Sequence, residues 1–340
     1  TSDCTIVTLD IPEELKLIFS FNQGQHLTFK RNDNGEEIRR SYSLCSSPLD
    51  GEWKVAVKKI SDGKFSGYVN EELEAGDTVE VMPPHGGFFK EVEKDAAKSY
   101  VAFAAGSGIT PIYSIIKTHL REEPNSHFTL FYINQRVSSI ILKEEVESLK
   151  NSYINNFELH HFLTREERDS PLFNGRLSVE KLQEINEKLM DFSAVDDFFL
   201  CGPAEMIFMV RDFLANIGVP KEKVHFELFN APVTTEKKVK KEVPTSEDLC
   251  HVTIINNGTK ISFNMLQNDE NILDTALRNN ADLPFACKGG VCCTCRAKIL
   301  EGEVEMEVNY ALEPEEVEEG YVLTCQSIPK TDNVIVDFDQ

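Results

Sequence analysis

Cys287-Lys-Gly-Gly-Val-Cys292-Cys293-Thr-Cys295, followed far downstream by Leu323-Thr-Cys325, is the stretch around which the C-terminal part of this 340-residue chain is organised. Cys287, Cys292, Cys295 and Cys325 give C-x4-C-x2-C with a distant fourth cysteine, a ligand spacing of [2Fe–2S] centres. A rhombic two-iron cluster needs four thiolates from a loop tight enough to wrap it. Gly289 and Gly290 let backbone N–H groups turn toward sulfur. The alternative is zinc, but structural zinc takes paired C-x2–4-C units or mixed Cys/His sets, whereas here three candidates share one loop and the fourth stands alone. Cys293 occupies a place where a small residue is expected and reads as a non-ligand.

Outward from this loop, strand texture surrounds it. Cys250-His-Val-Thr-Ile-Ile255 precedes a capped helix around Glu270–Leu277, and Val334-Ile-Val-Asp-Phe338 closes the chain. Residues 231–247 carry two prolines and an interrupted lysine run without periodicity, the composition of a linker. From about 95 to 230, apolar runs (Tyr100–Ala105, Phe128–Ile133, Phe157–Phe162, Asp197–Cys201) alternate with helical stretches. Ile112, Ile115, Ile116 and Leu120 share one helix face. That interleaving predicts a doubly wound parallel sheet. Residues 1–94 hold short alternating runs (Gln25–Lys30, Trp53–Lys58, Thr78–Met82) between turn signals such as Asn32-Asp-Asn-Gly35, the pattern of a small antiparallel barrel. The expected fold is therefore multi-domain: an antiparallel β-barrel at 1–94, an α/β doubly wound domain at 95–230, a linker at 231–247 and an α+β domain at 248–340.

Nine cysteines, an odd number with four of them between 287 and 295, read as metal binding in a reducing compartment, and hence as cytoplasmic. The formal charge of −22 disfavours nucleic acid, which needs basic surface. It suits steering toward a basic protein partner. No apolar run approaches a membrane span. Eight histidines include only one adjacent pair, His160-His161; neighbouring strand residues point to opposite faces, so it makes a poor ligand set.

After the strand at 100–105, Gly106-Ser-Gly108-Ile-Thr110-Pro111 opens the amphipathic helix, and Pro111 suits a first helical turn. Amides of such a turn face a pyrophosphate well. The pattern ends in proline, unlike the G-x-G-x-x-G of dinucleotide dehydrogenases. Arg40-Ser-Tyr-Ser43 has the form R-x-Y-S, and Gly63-Lys-Phe-Ser66 precedes the helix-like Gly67–Leu73.

Together with the run Asn309–Gln326, these motifs make nearly the whole chain resemble ferredoxin–NADP reductase-like flavoproteins that carry a C-terminal plant-type [2Fe–2S] ferredoxin domain. The resemblance extends to oxygenase reductases of the phenylacetyl-CoA epoxidase and 3-ketosteroid 9α-hydroxylase kinds. It implies a β-grasp for the last domain and FAD in the barrel. Arg40 is then implied on the FAD diphosphate, Tyr42 on the isoalloxazine, Ser43 near its N5, and Gly63, Lys64, Phe65 and Ser66 in a phosphate-binding turn. It also implies that Gly106, Gly108, Thr110 and Pro111, with Cys201-Gly202-Pro203, shape the nicotinamide nucleotide site. Cys201 would position hydride transfer, and Glu227 and Phe229 would stand beside the flavin. Arg136, Thr164 and Arg165 fit contacts to a 2′-phosphate and favour NADPH over NADH.

The expected activity is an NAD(P)H-dependent oxidoreductase that passes single electrons through the cluster to an oxygenase component. One rival is a reductase for another oxygenase or a desaturase. Another is a redox-sensing or electron-carrier module without hydride chemistry. The oligomeric state is left open.

Overall fold

The computed structural model describes residues 1–230, 249–267 and 270–340; the expected linker lies outside the described residues. The chain divides into two compact units, Thr1–Phe229 and Asn230–Gln340.

The first unit begins with antiparallel strands. His26–Asp33 and Glu36–Ser43 form a hairpin about the Asn34-Gly35 turn, both residues having positive φ. The short strand Glu80–Val81 adds to the free side of His26–Asp33. Cys4–Leu9 pairs with Trp53–Lys58. A bridge from Leu44 to Val55 continues the hairpin onto that second sheet. Alternation sends Leu27, Phe29, Ile38, Leu44, Trp53, Val55 and Val57 into one core. The helix Lys64–Glu71 plugs it with Phe65 and Val69.

Five parallel strands follow, in spatial order Val224–Glu227, Asp197–Cys201, Ser99–Ala105, His127–Asn134 and Phe157–Leu163. The strand order reverses between Ser99–Ala105 and Asp197–Cys201. Ligands of open α/β sheets bind at such a switch point, outside the carboxyl ends of the strands. Helix Ile109–Glu122 buries Ile112, Ile115, Ile116 and Leu120, as their spacing predicts. It is also fastened to the barrel: Ser114 Oγ donates to the Ser46 carbonyl at 2.6 Å, and the Ser47 and Thr118 hydroxyls meet at 2.8 Å, both pairs buried. Barrel and sheet therefore belong to one compact unit.

The second unit is a mixed sheet in the order Thr259–Leu266, Leu249–Asn256, Asn333–Asp337, Arg296–Glu301, Tyr321–Leu323. Only the pairing of Leu249–Asn256 with Asn333–Asp337 is parallel. Helix Ile272–Arg278 packs Ile272, Leu273 and Ala276 onto Val252, Ile254, Val334 and Val336, giving the expected β-grasp.

Candidate active site and cluster loop

The hairpin register sets the residues expected beside a flavin. His26 pairs with Ser43, Leu27 with Tyr42 and Phe29 with Arg40. Tyr42 lies 5.8 Å from the Phe29 ring and 5.7 Å from Phe65, and burial pushes its phenol up to about 12. Arg40 is exposed, donates to the Arg39 carbonyl at 2.7 Å, and has no carboxylate partner among the described residues. The phosphate turn differs from its expected form, because the helix begins at Lys64 and takes in Phe65 and Ser66. Gly63 is the N-cap and offers no side-chain cap. A Cβ at Gly63 would lie 2.4 Å from both Ile60 Cγ1 and Ser66 Oγ, so a larger residue would displace those side chains. Ser66 Oγ accepts from Ile60 N at 3.3 Å and fixes the turn. Phe65 is a core side chain, so only its backbone faces outward. Lys64 is paired with Glu36 at 2.5 Å and Asp33 at 3.5 Å.

At the switch point, Gly108 approaches the next loop so closely that a Cβ would fall 2.2 Å from the Cys201 carbonyl oxygen. A Cβ on Gly202 would similarly meet Met206 and Ala105 within 3 Å. Thr110 and Pro111 are buried in the first turn of Ile109–Glu122, where Thr110 Oγ1 donates to the Ser107 carbonyl at 3.0 Å. That helix start has no side-chain cap, and the Ile109 amide turns back to the Gly106 and Ser107 carbonyls. Pro203 caps helix Ala204–Asn216.

Cys201 and Glu227 are register partners at the ends of adjacent parallel strands. Cys201 is fully buried, and burial, reinforced by the Glu227 charge, pushes its thiol well above the ordinary range. Ser43 Oγ donates to Glu227 Oε2 at 3.1 Å, joining barrel to sheet. His26, absent from the expected set, has its Nδ1 3.8 Å from Glu227 Oε1. Counting back from the Asn32–Gly35 turn places residue 26 opposite residue 43, so the pairing was available in the sequence. Phe229 is 37% exposed at the end of the unit.

At the far end of the sheet, Thr164 N and Arg165 N donate to the carbonyls of Asn134 and Gln135, each at 2.9 Å. This brings Arg136 and Arg165 to neighbouring strand ends. Arg165 is exposed. Arg136 Nη1 stands 3.7 Å from Glu166 Oε1, and Glu166 Oε2 accepts from Val137 N at 3.0 Å. Glu166 is a second residue the motifs did not reveal.

In the second unit the four cysteines interact two by two, Cys287 with Cys292 and Cys295 with Cys325. The bond from Cys292, with the amides of Gly289, Val291 and Cys292, lowers Cys287 to about 6. Cys325 is lowered by Cys295, the Gln326 side chain and the Gly290 amide. Gly289 N donates to Cys287 Sγ at 3.2 Å. Gly290 has φ +74, and a Cβ there would lie 2.9 Å from the Val308 carbonyl. Cys293 donates its thiol to the Ala311 carbonyl at 2.9 Å. Among the described residues, no three His, Cys, Asp or Glu side chains are placed to hold a single metal ion. Two thiol pairs with amides turned toward sulfur fit a cluster in which each iron takes two thiolates and two bridging sulfides.

Three family models match in order. An oxidoreductase FAD-binding domain covers residues 1–89, an oxidoreductase NAD-binding domain 103–212, and a 2Fe-2S iron-sulfur cluster binding domain 254–330. The chain is 44% identical over 339 residues to one of the subunits of the 1,2-phenylacetyl-CoA epoxidase of Escherichia coli K12, covering 100% of this chain and 94% of that protein. It is 32% identical to the ferredoxin reductase component of 3-ketosteroid-9-alpha-monooxygenase from Rhodococcus rhodochrous, over 99% of this chain and 93% of the other. Phthalate dioxygenase reductase, a solved modular structure for electron transfer from pyridine nucleotides to [2Fe-2S], aligns over 99% of this chain and 94% of its own. Its TM-score is 0.57 and its identity 25%. The chain belongs to the family of NAD(P)H-dependent, ferredoxin-reductase-type oxidoreductases that join FAD-binding, NAD-binding and [2Fe–2S] domains.

Proposed function

We propose that this chain draws electrons from NADPH and delivers them singly to the oxygenase component of a multicomponent system of the phenylacetyl-CoA epoxidase kind. The observation that carries this reading is the meeting of Ser43, Glu227 and Cys201 at the switch point, one residue from the barrel and two from the sheet. Bound flavin supplies the conversion of a two-electron donor into one-electron steps, and the cluster carries one electron at a time.

The chain's own residues divide the remaining work. The Arg40 guanidinium, lacking a carboxylate partner, suits the FAD diphosphate. The uncapped start of Lys64–Glu71, with Gly63, Lys64, Phe65 and Ser66, offers amides to the same anion. The Tyr42 ring is held by Phe29 and Phe65 to lie along the isoalloxazine, and Phe229 offers an aromatic cover. Gly106, Gly108, Thr110 and Pro111, with Gly202 and Pro203, leave room for the nicotinamide nucleotide and its pyrophosphate. Arg136, Thr164 and Arg165 receive the adenosine end, and two arginines at neighbouring strand ends support the NADPH preference. Buried and neutral, Cys201 orients the nicotinamide without adding charge. Ser43 holds its hydroxyl proton toward Glu227 close by. Cys287, Cys292, Cys295 and Cys325 hold the cluster. The working division is a barrel at 1–94, a nucleotide domain at 95–230, a linker at 231–247 and a ferredoxin domain at 248–340.

We place the protein in the cytoplasm. All nine cysteines are free thiols, and among the described residues no helix is long and apolar enough to cross a membrane.

The test is an anaerobic absorbance spectrum of the purified protein before and after NADPH. Overlapping flavin and iron–sulfur bands that both bleach are expected, and Cys201→Ala should slow bleaching by tenfold or more, roughly. Cofactors that stay oxidised would leave only an electron carrier. Reconstitution with a phenylacetyl-CoA epoxidase oxygenase component, against a ring-hydroxylating one, checks the partner.

A further inference from the structure

Gln326, the residue after Cys325, has a side chain that reaches both ends of the candidate ligand set. Its Nε2 donates to the Lys288 carbonyl at 3.0 Å and to the Cys325 carbonyl at 2.9 Å, and it stands 3.6 Å from Cys325 Sγ. These acceptors fix which way the amide faces, because turned over its oxygen would meet two carbonyl oxygens and a sulfur. One N–H goes to Lys288, 38 residues upstream. The other faces Cys325, shared between carbonyl and thiol.

The rest of Gln326 is held just as firmly. Its backbone N–H donates to the Leu323 carbonyl at 2.8 Å, and its carbonyl accepts from Glu307 N at 2.9 Å. Gly290 leaves room for the side chain: a Cβ there would lie 3.2 Å from Gln326 Cγ. At the tip, Lys288 adopts φ +51, a left-handed backbone that side-chain-bearing residues seldom take. Lys288 Nζ is anchored on Asp274 at 2.7 Å and lies over the Phe285 ring, 4.8 Å from its centroid. The partly buried amide is thus fixed at its base and at its end.

A [2Fe–2S] centre becomes one unit more negative when it takes an electron from reduced flavin, and its sulfurs share that charge. An N–H aimed at a ligand sulfur therefore favours the reduced form and raises the potential. At Cys287 a backbone amide is so placed, Gly289 N donating to Sγ at 3.2 Å. At Cys325 a side chain is. We propose that Gln326 is a positioning residue for the cluster, tying Cys325 to the loop of the other three candidate ligands and raising the reduction potential through its amide.

This inference rests on the proposed ligation by Cys287, Cys292, Cys295 and Cys325, and the experiment separates the two. Wild-type holoprotein, Gln326→Met and Gln326→Glu are purified without oxygen and analysed for iron and acid-labile sulfide. Each is then titrated in a spectroelectrochemical cell, and flavin bleaching by NADPH is timed separately. Met keeps the length of the side chain but has no N–H, whereas Glu keeps the shape and replaces the donor with an acceptor. Both variants should hold iron and sulfide and bleach flavin as the wild type does. In Gln326→Met the equilibrium constant for one-electron reduction of the cluster should fall about tenfold, which is about 59 mV. In Gln326→Glu it should fall further. A wild-type sample carrying 15N in its glutamine side chains should also show 15N coupling in pulsed EPR of the reduced cluster.

A Gln326→Met protein with a full cluster and the wild-type potential overturns the inference. Equal falls in Met and Glu overturn it too, since they would report entry of water and not loss of a donor. Variants that shed the cluster support the tie to Cys325 if the wild type shows the 15N coupling. A wild type without that coupling overturns it. Wild-type protein that returns no iron and no sulfide overturns the ligation reading itself.

Discussion

Gly108 shows how one missing side chain holds two loops together. Alanine there would set a Cβ 2.2 Å from the Cys201 carbonyl, against backbone that cannot step aside. Gly108→Ala is expected to destabilise the protein by about 1–3 kcal/mol and to raise KM for the nicotinamide nucleotide, as thermal melts and initial rates will show. In the cluster loop, Cys293→Ala should retain full iron and acid-labile sulfide, because that thiol is turned to Ala311. Cys325→Ser should lose most of both, which metal and sulfide analysis of freshly purified protein checks. The candidate ligands were legible because three of them, Cys287, Cys292 and Cys295, keep a cluster-type spacing along one loop. His26 was missed, since a histidine in a strand is marked only once the register counted from the Asn32–Gly35 turn sets it against Ser43. Glu166 was hidden for a related reason: its neighbour Arg136 lies on a different strand end, and short motifs do not cross strands.

Among the elements, helix Ile109–Glu122 links nucleotide turn, barrel and sheet. Just past its C-terminus, Glu123 is fully buried and accepts from His119 Nδ1 at 3.0 Å, the Glu93 amide at 3.0 Å, and the Tyr100 and Ser126 hydroxyls, each at 2.8 Å. Burial alone would raise this carboxyl, but the donors outweigh it and hold it at about 2, against an ordinary 4.5. A depressed folded-state value contributes stability that is complete above pH 4.5 and lost as pH falls toward 2. The linked contribution is on the order of 3 kcal/mol. Acid unfolding followed by circular dichroism should therefore steepen over that window, and Glu123→Gln should flatten it.

The parallel strands and this helix were readable because buried runs and the 3.6-residue repeat are strong signals. The phosphate-turn helix was less so: it starts at Lys64, three residues before the expected Gly67, since Ser66 hydrogen-bonds back to the turn instead of preceding the helix. The run Thr78–Met82 supplies only Glu80–Val81 as strand. Pro83 and Pro84 follow at once, and neither has an N–H to extend the ladder.

Over the whole molecule, charge is the property with the longest reach. At −22 the protein attracts a cationic electron acceptor and repels an anionic one. Rising NaCl should slow reduction of basic cytochrome c and speed reduction of ferricyanide, both measured by stopped flow at fixed pH. Equal salt responses for the two acceptors would show that steering is absent. Net charge is read directly from composition, whereas the joining of the two antiparallel sheets by the Leu44–Val55 bridge depends on three-dimensional pairing that no local pattern announces.

The position of Cys325 also has a bearing on biogenesis. It is translated thirty codons after Cys295 and follows a strand that must pair with Arg296–Glu301 before the thiol reaches its partner. A nascent chain therefore carries three of the proposed ligands well before the fourth, and iron donated early would meet an incomplete set. On the proposed ligation metallation waits until Cys325 has been made, and cells short of sulfide or iron should accumulate chains whose [2Fe–2S] unit is readily degraded while the flavin-binding unit survives.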